Sequence, residues 1–322
     1  MFSLLQNELM KLFRRPGTYV MIGMMLLMVS VMGAVKYQEG NADTAANQKG
    51  EGEQKWEQQL QTEISASKKE LEAMENAPEN QKQFVKRDIA VKEYRLAHQV
   101  SSEDYSVWSF VSDASNMIQF AGLFVIIVAA GIVASEFNWG TIKLLLIRPI
   151  SRGKILAAKY SAVLLFAIVM LVIAFVYSSI LGVILFGTPE TAVPYLNYFN
   201  GKVTEQSMVF HLVIMYGLKS IQMIMLATMA FMISAVFRNS SLAIGLSIFL
   251  MFTGRELTNL LAAKFDWAKY VLFANTDLTQ YFEGMPAVDG MTLSFSVTML
   301  AVYFILFQFL AYFVFKKRDV IA

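Results

Sequence analysis

Along the chain, hydrophobic positions gather into six blocks separated by polar stretches: near residues 18 to 35, 114 to 135, 160 to 186, 212 to 237, 240 to 254 and 292 to 315. A helix rises 1.5 Å per residue, so about 20 apolar residues cross the roughly 30 Å of hydrocarbon in a bilayer. The pattern therefore predicts an all-α membrane protein with six transmembrane helices. The fifth block, "SSLAIGLSIFLMFTG", is short. It predicts a tilted span, one continued by an amphipathic turn, or one paired with a re-entrant segment over 255 to 291. The first block follows "KLFRRPG", which is charged like the start of a signal peptide. Its apolar run is too long for one and no small-residue cleavage site follows, so it reads as a retained first span.

The polar stretches carry patterns of their own. Residues 1–17 place Phe2, Leu5, Leu9, Leu12 and Phe13 on one helical face, which predicts an amphipathic helix in the inner interface with its bases toward lipid headgroups. Residues 36–108 form one insert. It opens on "EGNADTAANQKGEGEQ", a flexible linker by composition, and continues with Leu60, Ile64, Leu71 and Met74 at helical spacing. "APEN" at 77 to 80 breaks that helix, and Phe84, Val85, Ile89, Leu96 and Val100 mark a second. The insert reads as a helical hairpin, either a solvated cap or a device that senses a ligand or binds a partner.

Between the second and third spans lies "EFNWGTIKLLLIRPISRGKIL", residues 136 to 156, with one acid and four bases. Here "NWGTIKLLLIR" predicts about three helical turns, which Pro149 ends, and Ser151 is placed to cap the helix leading into the third span. A short helix across the inner mouth of the bundle, joined to two spans, can pass a push from a soluble partner to both.

Composition sharpens this picture. The chain is 56% hydrophobic with mean hydropathy +0.48 and has no cysteine, so disulfides, thiolate nucleophiles and cysteine metal sites are excluded. Its net charge of +2 hides an asymmetry that fixes orientation. With the amino terminus inside, the inner segments hold twelve bases, among them Lys11, Arg148, Arg152, Lys154 and Arg238, against three acids, Glu8, Glu136 and Asp319. The two short outer loops, 187 to 211 and 255 to 291, hold four bases and seven acids, and the insert ten and fourteen. Lysine and arginine favour the cytoplasmic side, so both termini are expected there. Asn116, Gln119, Ser178 and Gln222 lie within or near spans, where they either bond to neighbouring helices or line a substrate route. Lys219 is expected to reach the outer surface. His98 and His211 have no companion at metal-ligand spacing, no "GxxxxGK[ST]" phosphate loop occurs, and no paired catalytic set supports an intramembrane enzyme.

The string formed by Glu136, Gly140-Thr141, the leucines 144 to 146, Pro149, Ser151-Arg152 and Lys159 resembles the permease subunits of type 2 ATP-binding-cassette (ABC) exporters. The "RRPG" amino terminus, the six spans and the outer "LTNLLAAKFDWAKYVLF" match as well, and the insert at about 40 to 105 departs from the shortest members. The resemblance implies that 136–148 is a coupling helix docking on a separate ATPase. Glu136, Trp139, Gly140, Thr141, Ile142, Leu145, Arg148, Pro149, Arg152 and Lys154 would form that interface, with Arg238 a second cytoplasmic contact. The bases among them are equally explained by the positive-inside rule. It further implies two ATPase copies holding ATP and Mg, a second permease copy or a related permease, surrounding lipid and no nucleic acid. The setting would be a bacterial plasma membrane, and the chain itself would bind no cofactor. Candidate cargoes are antimicrobial peptides, lipid-like compounds, drugs or ions, with antibiotic resistance as the associated role. The alternative is a membrane sensor or resistance scaffold that captures an envelope ligand through the hairpin.

Overall fold

The computed structural model describes residues 1–47, 52–75, 79–99, 105–141, 150–188, 194–199, 201–283, 286–288 and 290–317. Helix α1 (Phe2–Phe13) turns at Arg14 and Arg15 into α2 (Pro16–Asn47). Proline suits that first helical position, where its missing N–H has no intrahelical partner to lose. Thr18 Oγ1 fixes the corner by donating to the Leu12 carbonyl at 2.6 Å. The chain continues through α3 (Gly52–Ala73), α4 (Glu79–Ala97), α5 (Val107–Ala114) and, after a 3-10 turn at Ser115–Met117, α6 (Ile118–Asn138). Helix α7 (Arg152–Phe186) is followed by strands β1 (Tyr195–Phe199) and β2 (Lys202–Gln206), then α8 (Met208–Phe237) and α9 (Ser240–Ala262). A 3-10 turn at Asp266–Tyr270 and two single-turn helices, α10 (Leu272–Asn275) and α11 (Gln280–Glu283), lead to α12 (Leu293–Lys317).

Six of these segments among the described residues are long and apolar enough to cross a membrane: Pro16–Gly40, Val107–Asn138, Arg152–Phe186, Met208–Phe237, Ser240–Ala262 and Leu293–Lys317. The chain is a multi-pass helical membrane protein. Helices α6 and α8 make its centre. On α6, Ala121, Ala129, Ala130 and Ala134 are fully buried, and such small side chains let backbones approach closely where lipid offers no hydrophobic drive between helices. At the α5–α7 contact Gly182 is required by space, since a Cβ there would stand 2.9 Å from Val107 Cγ2.

The fifth span continues past 254, one of the three expected forms, since α9 runs on to Ala262. Three expectations need correction. The start of the insert is no linker as far as Asn47, since α2 continues helical to that residue. The segment at 187 to 211, expected only as an outer loop of an all-α protein, holds two strands. Tyr195 pairs with Gln206 and Phe199 with Lys202 in an antiparallel hairpin whose two-residue turn includes Gly201 at φ +77°. Ser151 is the residue before α7, but its side chain makes no capping bond; its carbonyl accepts from Lys154 N and Ile155 N instead.

The insert does form two helices. α3 ends at Ala73, α4 begins at Glu79, and Ile64, Val85 and Ile89 are buried. Lys92 pairs with Glu63 at 3.3 Å and Ser67 donates to Asp88 at 3.3 Å, so partners descend α4 as they ascend α3 and the helices run antiparallel. Arg87 on α4 fastens the pair to the bundle, donating to the Phe282 carbonyl and to the Tyr195 hydroxyl.

Candidate functional site

The site at the α1 end of the bundle, the end expected to face inward, starts from a break in an apolar pattern. On α1 the buried face runs through Leu5, Glu8 and Leu12, so the acid sits where a helix of this register places core residues. Phe13 extends the same face and meets Phe166 edge-on at 6.2 Å between ring centres. The apolar face of α1 therefore packs on α7. Lys11, expected to face headgroups, instead turns inward to Glu8 at 2.7 Å and Glu136 at 3.2 Å.

Lys159 lies seven residues into α7, about 10 Å from its start, which puts its ammonium inside the bundle. It is fully buried and reaches Glu8 Oε2 at 2.8 Å, Glu136 Oε1 at 2.7 Å and the Ile132 carbonyl at 3.2 Å. Two lysines and two glutamates thus form a neutral, closed set that joins α1, the end of α6 and the beginning of α7. Burial works against ionisation of Glu8, but Lys159 and Lys11 outweigh it and hold the carboxyl below its ordinary range. Burial likewise disfavours charge on Lys11, and Glu8 with Glu136 reverses that, raising its pKa. Glu136 Oε2 is buried with no hydrogen-bond partner among the described residues. Enclosing such charges is costly, so the set stands only because each has an opposite charge in contact.

The expected docking segment is divided by what the structure describes. Ile142, Leu145, Arg148 and Pro149 lie outside the described residues. The helix expected over "NWGTIKLLLIR" is interrupted at its start, because α6 ends at Asn138 and Gly140 takes φ +69°, a conformation that glycine reaches without strain. Trp139 is 64% exposed, with the Arg15 guanidinium 5.2 Å from its ring centre. Thr141 Oγ1 donates to the Glu136 carbonyl at 3.4 Å. Beyond the gap, Arg152 donates to the Lys316 carbonyl at 3.1 Å, and Lys154 borders an open inner groove with Ser3, Asn7 and Ser151. Arg238 ends α8 in a left-handed conformation, φ +57°, its guanidinium 4.5 Å from the Phe137 ring centre. Trp139, Thr141 and Arg238 are therefore all anchored to the inner end of α6 or its neighbours.

The polar residues within and near the spans, at the end expected to face outward and deeper, separate into two groups. Asn116, Gln119 and Gln222 line one cavity of about 350 Å³ together with Lys219. Ser178 does not; it is buried and donates to the Phe175 carbonyl of its own helix at 3.0 Å. Lys219 bridges to the second span, donating to Ser115 Oγ at 2.7 Å and Asn116 Oδ1 at 2.8 Å.

Glu8 was not legible as a site residue by charge counting, although an acid in register with Leu5 and Leu12 was a visible signal. Arg255, Glu256 and Asp277, which also line the outer cavity, gave none, because the fold alone brings Asp277 back to α9, where it pairs with Arg255 at 2.8 Å.

The same arrangement of spans has relatives in sequence. A protein of Bacillus subtilis (strain 168) named Uncharacterized protein YhcI is 49% identical over 324 residues, covering 99% of this chain and 99% of its own. Uncharacterized membrane protein YdbK of the same organism is 31% identical over 197 residues, covering 61% of this chain and 76% of its own. The model of a family described as "Protein of unknown function (DUF2705)" matches residues 80–321, from α4 through all that follows it in the described fold. The chain belongs to the DUF2705 family.

Proposed function

We propose that this chain is the membrane-spanning permease subunit of an ATP-driven exporter of the type 2 ABC class. It stands in the bacterial plasma membrane with both termini, the α1 helix and the 136–156 segment in the cytoplasm, and the α3–α4 hairpin outside. It performs no bond chemistry; separate ATPase subunits, two per assembly, hold ATP and Mg and grip the segment from below. A second permease, identical or related, completes the path.

The observation that supports this reading most is the buried ionic set. Glu136 and Lys159 stand at the two ends of the inner segment and meet at 2.7 Å, with Glu8 on the amino-terminal helix as third party. Force applied to the segment is then shared by α1, α6 and α7 instead of being lost in a slack loop. Closure of the ATPases would move these helices as a rigid body and reshape the path between permeases. Docking would rest mainly on apolar burial by exposed Trp139, with Ile142 and Leu145, at about 25 cal/mol per Å². An exposed pair made by Arg148, Arg152, Lys154 or Arg238 adds about 1 kcal/mol or less.

Purification of the tagged chain in mild detergent tests this. An ATP-binding subunit should come down with it and be lost when Trp139, Ile142 and Leu145 are changed to Asp in a variant that keeps its helical content. Absence of any ATP-binding partner from the wild-type preparation would refute the proposal.

One observation favours a second reading, a ligand sensor. Arg87 ties the hairpin to both β1 and α11, at the Phe282 carbonyl, so a load on the hairpin reaches the segment that leads into α12. Deleting 45–100 separates the two: an exporter with a mere cap keeps ligand-independent ATPase coupling, and a sensor loses its ligand response.

A further inference from the structure

The cavity of about 350 Å³ lies between the second span, α8 and α9, with Phe273, Thr276 and Asp277 on its fourth side. Two neutral side chains on its wall are left without a partner. Gln119 on α6 and Gln222 on α8 both line it, and neither makes a hydrogen bond among the described residues. The contacts around them fix their level in the bundle. Asn116 Oδ1 accepts from Lys219 at 2.8 Å, and a Cβ on Gly122 would stand 3.6 Å from Met223 Cγ. The second span and α8 therefore run in the same direction, and Gln119 and Gln222 fall between those two contacts. They line one space at one level.

That level is within the span. Gln222 is fourteen residues from Met208 and fifteen from Phe237, about 21 and 22 Å from the two ends of a helix whose middle 30 Å or so crosses hydrocarbon. An unpaired carboxamide at that depth is costly, so what fills the cavity must form hydrogen bonds. Beside the two amides the wall is apolar, with Met223, Leu226, Met251 and Phe252. Water would serve the amides and wet those four side chains; an amphiphile serves the amides and covers them. Ligand pockets of about 300 to 1,000 Å³ have this make-up, apolar walls with a few polar groups that orient the ligand. At the rim Arg255 is paired with Asp277 at 2.8 Å, Lys219 is bound to Ser115 and Asn116, and Glu256 is exposed. The neutral amides are thus the groups within the cavity that a ligand answers.

Each carboxamide offers an acceptor oxygen and two N–H donors. In a trans secondary amide the N–H and C=O point in opposite directions, so one such group can donate to a glutamine on one helix and accept from the glutamine on the other. An ester carries acceptors alone and answers only donors. We propose that this cavity binds an uncharged amphiphile through a secondary amide held between Gln119 and Gln222, with its aliphatic part against Met223, Leu226, Met251 and Phe252. As a transport site this rests on the exporter reading, to which it gives a class of cargo; as a binding site it needs only the cavity.

Binding is measured on the purified full chain in nonionic detergent with three probes: N-butyldecanamide, its N-methylated counterpart, which lacks the N–H, and butyl decanoate, the matching ester. Each probe partitions into micelles equally for wild type and variant, so the ratio of the two affinities isolates the protein. Gln119→Leu and Gln222→Leu should each weaken the secondary amide about fivefold, the size of one neutral hydrogen bond. The double variant should weaken it further, and the ester and the N-methylated amide should lose less. Gln222→Asn keeps a carboxamide and withdraws it by one methylene; it should weaken the secondary amide as Gln222→Leu does, and it reads the same contact if the leucine variants do not fold. No saturable binding of the secondary amide to the wild type, a cavity filled by water only, overturns the proposal. So does an equal loss for all three probes, or a secondary amide unaffected by Gln222→Asn. The ATPase pull-down reports separately: a co-purifying ATPase without selectivity for the amide leaves the exporter and removes this site, and selectivity without an ATPase leaves the site and removes the exporter.

Discussion

Lys159 has three contacts to satisfy its charge and is fully buried, so the set it anchors should respond sharply to substitution. Lys159→Met leaves Glu8 and Glu136 enclosed with only Lys11 opposite, and such one-sided removals cost about 3 to 5 kcal/mol. The thermal midpoint in detergent should fall accordingly, and adding Glu8→Gln to that variant should recover part of the loss. Acidity acts through the same residues. The folded pKa of Glu8 lies below its ordinary 4.5, so its contribution is fully present above that value and disappears as the pH drops through the lower folded one. The folded pKa of Lys11 is raised, so its share is complete below 10.5 and disappears as pH climbs past the folded value. Midpoints recorded between pH 3 and 7 should decline at the acid end in the wild type, and Glu8→Gln should flatten that decline.

Periodicity reveals elements well when they are long. The spans and both insert helices were legible from apolar spacing, because burial of one face or immersion in lipid repeats over many turns. The β-hairpin was overlooked even though Asn200-Gly201 sits between Tyr195–Phe199 and Lys202–Gln206, a pairing of turn and strands that is a strong hairpin signal. Reading 187 to 211 only as a charge-bearing outer loop hid it. The continuation of α9 past 254 was legible only as one of three alternatives, because its last turns carry Arg255, Glu256 and Asn259, which a hydropathy reading treats as the end of a span. The hairpin gives the insert its seat: α4 meets β1 through Arg87 and β2 through the Tyr94 hydroxyl, which donates to Glu205 at 3.2 Å. Arg87→Ala should loosen that seat without touching the membrane helices. Limited proteolysis should then cut within α3 and α4 faster than in the wild type while the fragment from α5 onward stays intact; an unchanged cleavage rate would show that the contact does not hold the insert.

At the scale of the whole molecule, orientation is the premise on which the inner and outer sites exchange meaning. The chain has no cysteine, so single cysteines can be placed without a prior deletion. Cysteine at Lys154 should react with a membrane-impermeant maleimide only in opened cells, and cysteine at Glu63 or Lys68 in intact ones. The opposite pattern would invert the assignment of both sites. The candidate inner site was half legible: charge counting and the motif string found Glu136 and Lys159, and only packing revealed that Glu8 and Lys11 complete them. The outer cavity was legible as Asn116, Gln119 and Gln222, but not as a charged rim, since Arg255 and Asp277 are distant until the segment after α9 folds back.

The contact between Glu136 and Lys159 carries a consequence for how such a chain can change over time. It clasps the two stems that flank residues 142–149, so exchanging side chains between those stems leaves the contact itself in place. Under the proposed coupling to an ATPase, duplicated copies would thereby be able to acquire different motors while keeping one transmembrane architecture, and grafting residues 142–149 from one such copy to another should move motor preference with them.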